Sequence, residues 1–77
     1  MNVSLVNKLL EEEKISGLKL LSVAGIEEEV DEIDFKRSSI NILFVTKPEY
    51  KVINLEHIIR INTVEYVDWD TVNNMFK

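Results

Sequence analysis

Val3, Val6, Leu9 and Leu10 recur at helical spacing, Leu5 widens the apolar stripe, and Lys8, Glu11, Glu12 and Lys14 lie opposite. Asn2 or Ser4 suits the N-cap, and Gly17 falls where a left-handed residue ends a helix. The pattern predicts an amphipathic helix over about residues 3–15. "LKLLSV", Leu18 to Val23, then predicts a strand, with Leu18 and Leu20 on one face and Leu21 and Val23 on the other. The next stretch, "IEEEVDEIDF", offers both periods. As a helix it would stack Glu27, Asp31 and Asp34 along one face, and like charges at such offsets are unfavourable. A loop that becomes an outer strand near residue 32 is preferred, its charges discouraging edge-to-edge pairing.

"KRSS", Lys36 to Ser39, is a polar break of hairpin-loop length. "INILFVT", Ile40 to Thr46, is apolar on both faces, as an interior strand requires, and Pro48 ends it. Leu55, Ile58, Ile59 and Asn62 predict a second helix capped by Asn54. "TVEYVDW" predicts a closing strand, with Val67 and Trp69 on one face and Val64 and Tyr66 on the other. Asp70 to Lys77 predicts one or two helical turns, capped by Asp70, with Val72, Met75 and Phe76 inward.

The order of elements echoes itself. Leu9, Ile15, Leu18 and Leu21 match Leu55, Ile61, Val64 and Val67, each copy a helix, a short turn and a strand. Two such units joined by a hairpin give the split βαβ, ferredoxin-like pattern. Here its opening strand is missing or very short. The expected fold is therefore a single α+β domain over residues 1–77, a two-layer sandwich in the order αββαβ with a short C-terminal helix.

On "LLEEEKISGLKLLSV", the hairpin into "INILFV" and the closing "VEYVDW", the chain resembles the ACT-like regulatory domains. Specifically, it resembles those at the C-terminal end of bacterial MgtC/SapB-type membrane proteins. The resemblance runs from about Leu9 to Trp69 and rests on hydrophobic order and element length. It implies a regulatory domain, associated with a magnesium-related membrane protein and working on the cytosolic side. Amino-acid-binding ACT domains hold their ligand in a loop between first strand and first helix. This chain has no such strand and no glycine before Gly17, so no ligand residues carry over.

Composition narrows the function classes. The chain has 77 residues and no cysteine, which excludes disulfides, thiolate zinc sites and thiol nucleophiles together. The formal charge of −5 opposes binding to phosphate backbones or anionic lipid. Lys8, Lys14, Lys19, Lys36, Arg37 and Lys47 are spread out rather than striped, so nucleic acid is not an expected partner. No apolar run approaches the ~20 residues of a membrane span, and the N-terminus lacks the layout of a signal peptide. A cytoplasmic domain that does not itself insert into a membrane is expected.

The candidate chemistry is thin. Glu27, Glu28, Glu29, Asp31, Glu32 and Asp34 form an acidic run with no glycine to bend it around a cation, which reads as a solvated edge. The metal candidates Glu65, Asp68 and Asp70 do not converge on a regular strand, because Glu65 projects away from Asp68. His57, the only histidine, falls on the side away from Leu55, Ile58 and Ile59 and reads as a surface residue. No serine lies in a glycine-flanked elbow, and two glycines do not make a phosphate-cradling loop. No enzyme and no cofactor are expected.

An open sheet face bearing either Val67 and Trp69 or Val64 and Tyr66 would be a large apolar patch for so small a domain, and such patches mark interfaces. The expected interface residues are therefore Leu43, Val45, Val67, Trp69 and Tyr66. The expected function is a non-enzymatic regulatory or protein-interaction module that associates through its sheet, as a homodimer or with a protein partner. Two other readings remain open from the sequence. One is a small acidic inhibitor of a nucleic-acid enzyme, and the other a divalent-metal or small-ligand sensor.

Overall fold

The computed structural model describes residues 1–66. Val67, Trp69, Asp68 and Asp70, with the expected closing helix, lie outside the described residues. Among the described residues the fold is α+β, with one α-helix and two antiparallel three-stranded sheets.

Helix α1 spans Val3–Glu11. The Asn2 side chain accepts the Leu5 N–H at 3.0 Å, satisfying one of the donors a helix start leaves unpaired. Val3 donates its own N–H to the Ile40 carbonyl at 2.9 Å, tying the helix start to the loop before the fourth strand. The helix stops short of residue 15, because Glu12 closes it and Ile15 already belongs to a strand. Gly17 is accordingly not a helix terminator. It lies within that strand, beside a register shift.

Strand β1 is Ile15–Ser22, β2 is Glu27–Val30, β3 is Glu32–Ile33, β4 is Ile42–Lys47, β5 is Lys51–Asn54 and β6 is Ile58–Glu65. One sheet has the order β2-β1-β6 and the other β3-β4-β5. The chain passes from the first sheet to the second through Asp31 alone, whose N–H reaches the Lys47 carbonyl at 2.9 Å. It returns through a single 3₁₀ turn, Leu55–His57, which Asn54 caps by accepting the Glu56 N–H at 3.0 Å. Strands that switch sheets at such corners let two small sheets share one core.

That core takes Leu18, Leu20, Val30 and Ile58 from one sheet and Leu43, Val45 and Ile53 from the other. Val3 and Val6 of α1 and Leu55 of the corner complete it. β4 is an interior strand, as its two apolar faces predict. Its pairing begins at Ile42; before it, the Ile40 carbonyl accepts from the helix start and Ile40 is 77% exposed.

The largest departure from expectation is Leu55 to Asn62. That segment is the 3₁₀ turn and most of β6, not a second helix. The βαβ half of the ferredoxin-like pattern is therefore not formed by the described residues. Ile58, Ile59, Ile61, Thr63 and Val64 explain the outcome. Branching at Cβ restricts χ1 in a helix and suits the pleated surface of a strand.

Candidate interaction surface

β6 pairs with β1 along one edge, with Leu18 opposite Thr63, Lys19 opposite Asn62 and Leu20 opposite Ile61. Its other edge carries no strand among the described residues. Two contacts fix which groups face which way. The Tyr66 N–H donates to the Lys14 carbonyl at 2.9 Å, and the Val64 carbonyl accepts from Ser16 Oγ at 3.1 Å. Both therefore point toward β1. Backbone groups alternate sides along a strand, so Ile61, Thr63 and Glu65 direct their N–H and C=O outward. A register shift between Leu21 and Ser22 leaves Ile59 in a bulge, out of phase with that row.

Side chains sort by the same alternation. Ile61 and Thr63 share the face of Leu20 and Leu18, which is the core face. Arg60, Asn62 and Val64 lie on the outer face. Ile59 is 63% exposed and Tyr66 68% exposed, so apolar surface flanks the free edge at both ends.

A second apolar area adjoins it at the corner where the chain changes sheets. The Val23 N–H donates to the His57 carbonyl at 2.8 Å, and Ile26, Val52, His57 and Ile58 line one shallow cleft. Val23, Ile26 and Val52 are each more than half exposed. His57 is exposed on the 3₁₀ turn.

The expected interface residues are divided by the structure. Leu43 and Val45 are buried, at 0% and 2% exposure, and hold the core instead of an open face. The reason is register: they lie opposite Ile53 and Lys51, and Leu43 and Ile53 both point between the two sheets. Tyr66 is exposed just past β6. Val67 and Trp69 fall outside the described residues. What the sequence reading missed is the corner cluster of Val23, Ile26 and Val52, together with Ile59. Their signal was present as exposed β-branched residues beside Gly25 and Asn54, but assigning a helix to residues 55–62 hid the corner.

The acidic run does not gather into a site. β2 sends Glu27 and Glu29 to one face and Glu28 to the other. Four of its acids meet cations: Glu27 with Lys19 at 3.8 Å, Glu28 with Lys51 at 2.9 Å, Glu32 with Lys47 at 3.4 Å and Asp34 with Arg37 at 3.5 Å. Among the described residues no group of three or more metal-ligating side chains converges, and Glu65 lies at the end of β6 opposite Ile15. The hydroxyls of Ser16, Ser22 and Ser38 are each bonded to backbone. No helix among these residues is long and apolar enough to cross a membrane.

Comparison with protein-family models, with curated proteins and with solved structures gave no match.

Proposed function

We propose that the chain is a non-enzymatic regulatory or protein-interaction module that associates through its sheet, with a second copy as the partner. The observation that carries this reading is the outer edge of β6, which carries no strand among the described residues. β6 is an eight-residue strand rich in β-branched residues, with Ile59 exposed near its start and Tyr66 exposed just past its end. Free edges are ready templates for another strand, and proteins usually blunt them with charges, proline or a short length. β6 has no proline, only Arg60 and Glu65 as charges, and is as long as any strand described.

The resemblance to ACT-like domains lends the reading its regulatory half. The ferredoxin-like arrangement itself is not needed for it. Light scattering after size exclusion, run on the full chain over a wide concentration range, tests the proposal. A mass that rises from monomer to dimer with concentration is expected. A strict monomer at the highest concentration overturns it.

A further inference from the structure

We infer that two copies of this chain pair through β6 as antiparallel strands in one register, with Thr63 opposite Thr63 on the two-fold axis. The inference rests on the association reading above and names its geometry. A two-fold antiparallel pair is self-complementary, so the same row of groups must both donate and accept. Ile61, Thr63 and Glu65 supply that row, because the contacts of Tyr66 and Val64 with β1 turn their neighbours outward.

Centring the axis on Thr63 sets Ile61 opposite Glu65 and uses all three residues, for up to about six backbone hydrogen bonds. Shifting the axis by one residue in either direction brings the bulged Ile59 into the row or leaves Ile61 unpaired. Side-chain chemistry favours the same register. On the outer face Arg60 comes opposite Tyr66 twice, and a guanidinium over an exposed aromatic ring is attractive. Asn62 meets Val64, and the central threonines form a favourable cross-strand pair.

Charge selects the edge as well. The chain carries −5, so two copies repel unless the contact is locally balanced. Arg60 and Glu65 are the only charges on β6, and in this register neither meets its own kind. An equivalent contact along β2 would bring Glu27, Glu28 and Glu29 of both copies together.

The chain has no cysteine, so a single introduced thiol reports on the register without background. Opposed residues that exchange hydrogen bonds have Cα atoms about 5.5 Å apart, inside the disulfide window. Val64 lies about 8 Å from its own copy in this register, outside that window. Under mild oxidation T63C should crosslink to dimer roughly a hundredfold faster than V64C, as a high effective concentration requires. V52C, at the corner, should be as slow as V64C.

Three results overturn the inference, and they are distinguishable. If V64C crosslinks faster than T63C, the strands pair in another register. If V52C is fastest, or scattering shows a dimer that T63C never traps, association stands and the corner or another surface carries it. If the chain is monomeric by scattering and no variant crosslinks, both this geometry and the association reading fail.

Discussion

Thr46 offers a direct test of the packing of the second sheet. It lies in β4 at a register shift against β3, where Glu32 pairs with Lys47 and Ile33 with Val45. Its Oγ1 is buried, with no hydrogen-bond partner among the described residues. A buried hydroxyl left unpaired costs about 1–3 kcal/mol, whereas a methyl in its place gains up to about 0.8 kcal/mol on burial. Thr46→Val keeps the shape and the β-branched backbone preference, so only the polarity changes. Because Thr46 as a whole is half-buried, a net gain of about 1–2 kcal/mol follows from those two effects. Urea titration at one fixed protein concentration reads it, since association would otherwise move the midpoint. With m near about 1 kcal/mol/M for so small a domain, the midpoint should rise by about 1–2 M at constant m. In a thermal scan each kcal/mol is worth about 4–8 °C. Thr46→Ser separates polarity from volume: it keeps the hydroxyl, loses the methyl, and should destabilise. A midpoint that falls or stays put in Thr46→Val shows that the hydroxyl is bonded after all and refutes the reasoning.

Two further substitutions probe the contacts that join the strands. Gly17→Ala places a Cβ against the Asp31 carboxylate and 3.3 Å from the Val30 carbonyl, so it should cost about 1–2 kcal/mol in urea titration. Asp31→Ala should return part of that loss in the double variant, and additive effects would show that the two side chains do not meet. Lys51→Met removes the cation that links β5 to Glu28 of β2 at 2.9 Å and stands 3.7 Å from Glu49. With Lys51 18% and Glu28 37% exposed, a loss of about 1 kcal/mol is expected, smaller in high salt; a gain would show that desolvating Lys51 outweighs the pair.

How much of this was legible in the sequence depended on whether one period excluded the other. α1 was legible because Val3, Val6, Leu9 and Leu10 make sense only at helical spacing, and Val3 and Val6 are indeed buried. β4 was legible because Ile40 to Thr46 is too short and too β-rich for anything but an interior strand. Residues 55–62 satisfied both periods. Leu55, Ile58, Ile59 and Asn62 fit a helix by spacing, while Ile58, Ile59 and Ile61 fit a strand by side-chain shape. Spacing is a necessary condition and shape an energetic one, so the two need not agree. The competition was settled by what β1 required. With Leu18 and Leu20 facing the core, one edge of β1 is taken by β2, and the other needs a partner of matching length. β6 meets that need and buries Ile58 as it does so. Turning those residues from helix to strand also changes what surrounds them. A helix there would satisfy its own backbone, but a strand leaves one row of donors and acceptors outward. The same misreading therefore hid both the topology and the interaction surface. Leu43 and Val45 lie on a face that the two-sheet arrangement buries, while the outward row of backbone groups forms on β6.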